Sequence, residues 1–429
     1  MLGAILGRDQ GAQLQAASGR PLETCPSRNN WLAMNDFPPN RAAALDRLAV
    51  FVPKAGRAYA QWRNHDLPGR PHVSGLSPYL RHRIITEDEV LRAVIGAHGM
   101  QSASKFIDEV YWRTYWKGWL ELRPWVWQDY RIALQAALNR TRVEAGLRAN
   151  WEAACLGQTG IDGFDDWAQE LVETGYLHNH ARMWFASIWV FTLGLPWELG
   201  ADFFLRHLLD RDPASNTLSW RWVAGYHTPG KTYLARPDNI ERYTNGRFAP
   251  RGLANFAPAP EMRPHAPPGR IAQPQSPDPR RVTGLVLTEE DLSPDWLIRG
   301  VDTVNTTAVV KATAARSSLA VSPMVEQWVD AALANTLADH GDRLGSAVRC
   351  DTVADIHEWA KAKGLQQVIM ARPTVGPTAD HLAGLEDRLS ADGIRLVMAI
   401  RPSDSAAWPR ATHGFFKFRE AIPKLLAAL

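Results

Sequence analysis

Hydrophobic positions recur at helical spacing through the first 250 residues of the chain. A helix is predicted over 41–51 because its apolar residues share one face: Ala44, Leu45, Leu48 and Phe51. Thr86 and Glu89 stand three positions apart before a further apolar run, which is the pattern of a capping box and predicts a helix start. Similar periodicity predicts helices near 102–121, 128–154, 163–176, 177–193 and 197–209, so this part of the chain is expected to be all-α.

After residue 280 the pattern changes to short apolar runs separated by amphipathic segments. The runs that indicate buried strands are 282–287, 308–310, 367–370 and 394–400. Helices are predicted near 322–340, 352–363, 378–391 and 414–428. The alternation of strands and helices predicts a small α/β domain with a parallel sheet. It has no G-x-G-x-x-G after its first strand and no Walker A loop, so its pattern predicts no nucleotide site.

Eight prolines in the thirty residues 251–280 separate the two patterns. Such a density excludes a regular helix or a central strand and predicts an extended linker. We therefore expect a multidomain chain: a loose N-terminal segment over 1–36, a helical domain over 37–250, the proline-rich linker over 251–280 and the α/β domain over 281–429.

Charge and composition exclude several functional classes. The 48 basic and 45 acidic residues give a formal charge of +3, which excludes a polybasic nucleic-acid tail but allows a local basic groove. Three cysteines without a C-x-x-C pair indicate neither a zinc site nor a disulfide framework, so no metal is expected. No apolar run reaches 18 residues, so we expect no membrane span and a cytoplasmic protein.

Tryptophan is the one residue type that stands out, with 18 in 429 residues and 14 of them in the first 250. A tryptophan-rich helical core explains this simply. The alternative is a domain whose indoles stack on planar rings or pass electrons. Composition alone favours the core.

Two segments combine residue types that suit a ligand. Ser77 before Pro78 predicts a capped helix start, and Ser74 and Gly75 just before it add a hydroxyl and exposed amides that suit a phosphate. A simple capped helix is the commoner explanation. The second segment places a carboxylate, two indoles and a guanidinium on one helix face: Glu109, Trp112, Arg113 and Trp116. Such a mixed face is unusual for either a core or a solvated surface and suits a ligand pocket.

Two later segments carry further polar side chains. His178 and His180 point apart on a helix, so metal ligation by this pair is not expected. Asn179, Arg182 and Met183 share one face of that helix. The last segment is predicted to be a polar loop followed by paired tryptophans, and its residues are Asp210, Asp212, Asn216, Trp220 and Trp222.

In their order and spacing, the segments SGLSPYL, E-x-x-W-R, H-N-x-A-R-M, D-x-D-x-x-x-N and W-x-W resemble the FAD-binding domain of the DNA photolyase and cryptochrome family, from about Phe37 to Phe248. The resemblance implies an all-helical domain that holds FAD non-covalently in a U shape. It assigns the phosphates and the ribityl chain to Tyr59, Ser74, Gly75, Leu76 and Ser77, with Arg113 beside the phosphates. It assigns the flavin ring to an Arg182–Asp210 ion pair, to Asp212 at the polar edge and to Asn216 facing N5.

The resemblance also implies a lesion pocket, a DNA contact and an electron path. The pocket walls would be Glu109, Trp112, Asn179, Met183 and Trp222. Arg63 would contact DNA, and we expect further basic contacts from Lys117 and Arg221. Trp220 and Trp197 would carry electrons to the flavin, whereas the third tryptophan of the path would fall at Glu144, which cannot serve, with Trp151 as a nearby substitute.

The chain also departs from the family pattern. The family's α/β antenna domain normally precedes the helical domain, but here only about 36 residues do. Residues 281–429 instead resemble parts of such a domain, at 393–397 and 413–419. Because the characteristic arginine and aspartate of its first strand are missing, a second, antenna chromophore is doubtful. The partner histidines of 6-4 repair enzymes would fall at Asn179 and Met183, so that chemistry is not expected.

The implied function is light-driven repair of cyclobutane pyrimidine dimers by electron transfer from reduced FAD. The implied partner is damaged DNA, with single-stranded DNA as a candidate form, and the protein is expected to be a monomer. The alternative is a cryptochrome-like blue-light sensor without repair activity. Asn216 at the N5 position and the pocket residues Glu109, Trp112 and Met183 favour repair. A relic scaffold without cofactor is disfavoured by the full set of FAD positions.

Overall fold

The computed structural model describes residues 36–261 and 266–429, so all but the last residue of the predicted loose segment 1–36 lies outside the described residues. From Arg41 to Tyr243 the described chain is helical. Its α-helices are α1 Arg41–Phe51, α2 Arg57–Trp62, α3 Ser77–Arg81, α4 Glu87–Ser102, α5 Ser104–Glu121, α6 Trp125–Val143, α7 Ala145–Leu156, α8 Phe164–Thr174, α9 Asn179–Ser187, α10 Trp197–His207, α11 Pro213–Val223 and α12 Pro237–Tyr243.

Local capping explains why two of these helices begin where the sequence predicts. Asn40 accepts a hydrogen bond from the backbone N of Ala43 through its side-chain oxygen (2.8 Å) and so caps α1. The capping box of α4 is confirmed: the Thr86 hydroxyl accepts from the backbone N of Glu89 (3.3 Å), and the Glu89 carboxylate accepts from the backbone N of Thr86 (2.8 Å).

The single helix predicted over 128–154 is wrong. Glu144 has an extended backbone (φ −98°, ψ 93°), and it separates α6 from α7. The segment predicted as a helix over 177–193 begins as α9 and continues as one π-helical turn, Ile188–Thr192.

The C-terminal part confirms the predicted α/β fold. Its five parallel strands are β1 Thr283–Thr288, β2 Thr306–Val310, β3 Ser346–Arg349, β4 Gln367–Ala371 and β5 Arg395–Ala399, and they lie side by side in the order β3-β2-β1-β4-β5. The sequence missed β3 because all four of its residues are exposed, so this edge strand carries no apolar run. The α-helices of this part are α13 Asp295–Ile298, α14 Pro323–His340, α15 Val353–Ala362, α16 Pro377–His381, α17 Leu385–Ala391, α18 Pro402–Ala407, α19 Phe415–Arg419 and α20 Ile422–Leu426. The helices predicted over 378–391 and 414–428 are each broken in two.

The helical part and one face of the sheet share a hydrophobic core. Leu285, Ile369 and Val397 of the sheet belong to the same buried cluster as the helices, together with Trp328 of α14. The indole of Trp328 donates a hydrogen bond to the backbone carbonyl of Phe37 (2.6 Å). Because side chains alternate along a strand, the opposite face builds a second, smaller cluster under α15 and α17.

The proline-rich region runs from the helices to the sheet, where Ser276 and Asp278 accept hydrogen bonds from Arg395 of β5 and Gln367 of β4. Residues 251–261 and 266–282 contain no helix or strand. Gly269 donates its backbone N–H to the carbonyl of Leu122 (2.7 Å), so this stretch contacts the end of α5. The division of the chain into domains at residues 250 and 280 stays a prediction.

Candidate functional site

Arg182 and Asp210 form the ion pair that the resemblance implies. The guanidinium of Arg182, in α9, donates two hydrogen bonds to the carboxylate of Asp210, at 3.0 and 2.7 Å. Burial acts to raise the pKa of Asp210, but the charges of Arg182 and Arg211 outweigh burial and hold that pKa below its usual value. Asp210 is therefore a buried carboxylate that depends on its arginine partner.

Ser77 does not cap its helix, so this part of the prediction is wrong. It is the first residue of α3, Leu76 is the cap residue, and no side chain caps this end. The Ser77 hydroxyl instead lies near the Asp210 carboxylate and helps to lower its pKa. Ser77 thus links the 74–77 loop to the Arg182–Asp210 pair.

The loop before α3 is tightly built around its glycine. Gly75 has a positive φ of 61°, and a Cβ placed there would lie 2.6 Å from Nη1 of Arg47. Ser74 accepts a hydrogen bond from the backbone N of Leu76 through its hydroxyl (3.3 Å), and Leu76 is fully buried. Only glycine fits at position 75 without moving Arg47.

Asp212 and Asn216 lie at the start of α11. Asp212 caps this helix by accepting from the backbone N of Ser215 through Oδ1 (2.9 Å). Asn216 was predicted in a loop but lies within the helix, because the cap and Pro213 start the helix before it. Its side-chain amide donates to the carbonyl of Ala201 (2.7 Å).

Several polar atoms around Asp212 are buried without a hydrogen-bond partner. They are Oδ1 of Asn216, Oδ2 of Asp212, and Nε and Nη2 of Arg113. Arg113 Nη1 lies 3.4 Å from Asp212 Oδ2, and Arg113 Nε lies 3.5 Å from Glu87. Since buried polar groups normally have partners, these atoms point to a polar ligand at this place. The structure thus joins Arg113, predicted beside the phosphates, to the acid predicted at the ring edge.

Lys117 supplies further positive charge on α5. It is buried, with 3 % of its surface exposed, so the prediction that it contacts DNA is wrong. Burial, followed by Arg83 and Arg113, lowers its pKa to about 8. Burial acts to raise the pKa of Asp212, but Arg113 and Lys117 outweigh it and lower that pKa.

Tyr59 packs against Phe106 of α5. Its ring meets those of Phe51 and Phe106 edge-on, with centroids 5.7 and 5.2 Å away. Burial, and then the charge of Glu109, raise the pKa of its phenol, so the hydroxyl stays protonated and can donate a hydrogen bond.

Glu109 and Arg63, the predicted pocket acid and the predicted DNA contact, form an ion pair with each other. Both side chains are about one-third exposed or less, at 31 % and 27 %. Burial raises the pKa of Glu109, and Arg63 opposes this shift. The other basic residue expected at DNA, Arg221, is half-buried and donates to the backbone carbonyl of Tyr226 (3.2 Å).

Each predicted pocket tryptophan stacks on another aromatic ring. Trp112 stacks on Phe415 of α19, with centroids 3.7 Å apart and ring planes 11° apart. Trp222 stacks on Tyr233 at 5.6 Å and 28°. Asn179 is exposed at the first position of α9, and Met183 is half-buried one turn further along.

Trp220 and Trp197 are both buried close to the turn that begins α10. The ring of Trp220 packs so closely over Gly200, one turn after Trp197, that any side chain there would collide with it. Trp220 also lies 6.2 Å from Trp189, which sequence reasoning missed because no motif marks it. Trp197 contacts Tyr130 at 5.6 Å and Tyr226 at 6.3 Å.

A separate cavity of about 600 Å³ lies between α4 and the segments that follow β1 and β5. None of the predicted site residues lines it. Within residues 36–261 and 266–429, no cluster of His, Cys, Asp and Glu is arranged to hold a metal ion. In the same ranges, no helix is long and apolar enough to cross a membrane.

Part of the helical region is similar to known proteins. Residues 106–251 match the family model described as the FAD binding domain of DNA photolyase. The deoxyribodipyrimidine photo-lyase of Vibrio cholerae is 27% identical, and the match covers 54% of this chain and 48% of that protein. The deoxyribodipyrimidine photo-lyase of Agrobacterium fabrum is 31% identical, and the match covers 47% of this chain and 42% of that protein. Cryptochrome DASH of Solanum lycopersicum is 27% identical, and the match covers 54% of this chain and 41% of that protein.

A solved bacterial class III photolyase from Agrobacterium tumefaciens is 26% identical, with a TM-score of 0.42 over 51% of this chain and 46% of that one. The chain thus spans about half the length, or less, of the relatives it matches. Over residues 106–251 its helical part is thus similar to the FAD binding domain of DNA photolyase.

The residues present fit the cofactor of that family. The unpartnered N–H groups of Arg113 can donate to an anionic or carbonyl oxygen. The free Oδ1 of Asn216 can accept a hydrogen bond from a ring N–H. The Arg182–Asp210 pair adds a buried carboxylate that is held ionised by its arginine.

Proposed function

We propose that this chain binds one FAD non-covalently and uses it to repair cyclobutane pyrimidine dimers in DNA under blue light. The observation that carries the proposal is the set of buried, unpartnered polar atoms of Arg113, Asp212 and Asn216 inside the region that matches the family model. The relatives named deoxyribodipyrimidine photo-lyase support the lyase assignment over a binding role alone.

The chemistry that reduced FAD supplies when bound is one-electron transfer to the dimer in blue light. The protein holds and orients the cofactor. The amide of Asn216 is fixed by Ala201, so its free oxygen keeps one direction. Arg182 keeps Asp210 ionised, and Ser77 ties this pair to the loop proposed to wrap the phosphates.

Glu109 is the group proposed to act on the dimer itself. Burial raises its pKa and Arg63 opposes that shift. We propose that the carboxyl takes up a proton once Arg63 leaves it, and that it then donates a hydrogen bond to a base carbonyl. Such a bond strengthens as negative charge develops on the base. Arg63, now paired with Glu109, is proposed to turn to a DNA phosphate when the dimer arrives, because guanidinium groups bind phosphate well.

Trp112, Trp222, Asn179 and Met183 are proposed to line the rest of the lesion pocket. Trp220 and Trp197 are proposed to relay electrons that reduce the flavin, with Trp189 as an additional neighbour of Trp220. We further propose that the protein acts as a monomer and takes dimers in single-stranded DNA, since no duplex must then be opened.

Repair is tested with reduced, FAD-loaded protein and a short thymine oligonucleotide that contains one dimer. We expect dimer loss under blue light and none in the dark or without protein. The relative named cryptochrome DASH favours a light sensor as the second candidate. Illumination that bleaches the flavin reversibly and leaves every dimer intact establishes the sensor instead.

A further inference from the structure

Phe415 forms a tight aromatic contact with the proposed lesion pocket. Its ring lies parallel to that of Trp112, with centroids 3.7 Å apart and planes 11° apart. Phe415 belongs to α19, near the C-terminus of the α/β part, whereas Trp112 belongs to α5 of the FAD-binding domain. One face of the indole is therefore covered by a residue from outside the family domain.

The covered face fixes where a ligand can meet Trp112. Phe415 is 4 % exposed, and it also packs against Tyr115 and Phe418, with centroids 5.6 and 6.1 Å away. A base cannot replace this ring without exposing it to water, which is costly for so large an apolar group. Tyr115 and Trp116 also contact the indole, at 5.6 and 5.2 Å, and Trp112 stays partly exposed, so only the surface that these rings leave uncovered is open to a dimer.

The segment that carries Phe415 is anchored on both sides. Just before it, the hydroxyl of Tyr115 donates to the backbone carbonyl of His413 (2.8 Å). After it, Arg419 donates to the carboxylate of Asp108 (2.8 Å). The position of Phe415 is thus set by α5, the helix that also carries Glu109 and Trp112.

We infer that Phe415 is a positioning residue: it holds the Trp112 ring in the orientation that stacks on a pyrimidine dimer, so the α/β part of the chain completes the lesion pocket. The inference rests on the proposed repair function. It assigns a role to residues far from the FAD positions, and it needs no second chromophore.

Phe418 provides a matched control for this role. It lies one turn along α19, is 1 % exposed, and packs on Tyr111 and Tyr115 at 6.2 and 5.5 Å. No ring contact joins it to Trp112 among the described residues. Phe418 also packs on Phe415, with centroids 6.1 Å apart, but its replacement leaves the Phe415–Trp112 stack itself in place. Phe418→Leu should therefore weaken the fold about as much as Phe415→Leu while the indole keeps its stacking partner.

The test measures affinity for a thymine oligonucleotide with and without one dimer, using FAD-loaded protein. Phe415→Leu should weaken binding of the dimer oligonucleotide about three- to tenfold, the value of one aromatic stack. Binding of the undamaged oligonucleotide and FAD content should stay unchanged. Phe418→Leu should leave the dimer preference intact. In a Trp112→Ala background Phe415→Leu should add no further loss, because Phe415 acts through that ring.

If the two leucine variants lose the same amount of affinity for the dimer oligonucleotide, the inference is overturned. Tighter binding of that oligonucleotide by Phe415→Leu also overturns it, because it shows that Phe415 blocks the pocket. If Phe415→Leu does not fold, Phe415→Met keeps more of the side-chain volume and undergoes the same comparison. A wild type that binds both oligonucleotides equally refutes the proposed repair function itself, a result that the variants cannot mimic.

Discussion

Arg81 and Glu290 form a buried ion pair that joins the helical part of the chain to the sheet. Arg81, in α3, donates two hydrogen bonds to the Glu290 carboxylate at 2.6 and 2.8 Å, and Glu290 is the second residue after β1. This is the edge between β1 and β4, where strand order reverses and open α/β sheets commonly bind ligands. Here the crevice receives an arginine from the helix that follows the 74–77 loop.

The first prediction concerns this ion pair. Glu290→Gln should lower the free energy of unfolding by about 3 kcal/mol, because it leaves the Arg81 charge buried without its partner. Chemical denaturation followed by circular dichroism measures the change. Glu420→Gln, which breaks the exposed pair with Lys417, is the control and should change stability by less than about 1 kcal/mol. Equal effects of the two variants would show that the Arg81–Glu290 pair adds nothing by being buried.

The second prediction concerns FAD retention. Asp210→Ala should release much of the flavin, since Arg182 would then be a buried charge without a counter-ion beside the ring. The ratio of flavin to protein absorbance after purification measures occupancy. Asp238→Ala removes an exposed partner of Arg236 and should leave occupancy unchanged. Full flavin content in Asp210→Ala would remove this pair from the proposed site.

The third prediction concerns photoreduction. Trp220→Phe should abolish light-driven reduction of oxidised FAD and leave dark chemical reduction intact. Nε1 of Trp220 is buried without a hydrogen-bond partner, so the change to Phe costs no hydrogen bond. Trp359→Phe, in the outer layer of the sheet, serves as control. Both variants are illuminated steadily while flavin absorbance is followed. Normal photoreduction in Trp220→Phe would mean that another residue donates the electron.

The fourth prediction concerns Glu109. Glu109→Ala should lower the number of dimers repaired per absorbed photon while FAD content stays constant, since one hydrogen bond to a charged base is worth about 1–3 kcal/mol. Glu109→Gln keeps a donor and should retain more of the yield. Quantum yields under weak blue light provide the measurement. If the alanine variant sheds flavin or unfolds instead, Glu109 merely packs the helix.

The fifth prediction concerns acid stability. His178 caps α9 by accepting from the backbone N of His180 (3.1 Å), and burial, followed by the charge of His180, lowers its pKa to about 3. An unfolded histidine titrates near 6.5. Between these values the unfolded state binds more protons, so His178 makes stability fall as the pH drops below about 6.5.

His178→Asn keeps a side-chain oxygen that can cap α9 and removes the imidazole that takes up a proton on unfolding. The slope of unfolding free energy against pH, measured from pH 7 to 5, should decrease by up to about 1.4 kcal/mol per pH unit. Wild type and variant curves that stay parallel would show that His178 does not titrate on unfolding.

The sequence by itself determined the local structure and the family of the helical part. Helical periodicity and the Thr86–Glu89 capping box depend on neighbours a few residues apart, and the structure confirms them. The parallel sheet followed from apolar runs, except for its exposed edge strand β3. The spacing of the FAD motifs was likewise readable because each lies within one short segment.

The tertiary structure decided which side chains meet across distant segments. Arg63 with Glu109, Trp112 with Phe415 and Arg81 with Glu290 lie 46, 303 and 209 residues apart, and no local pattern pairs them. The helical break at Glu144, an exposed residue, also corrected a local expectation, but packing between distant elements does not explain it. The burial of Lys117 and the position of Ser77 near Asp210 corrected two more. In these two cases packing between distant elements outweighs local preference, because burial and charge pairing are properties of the assembled core rather than of a segment.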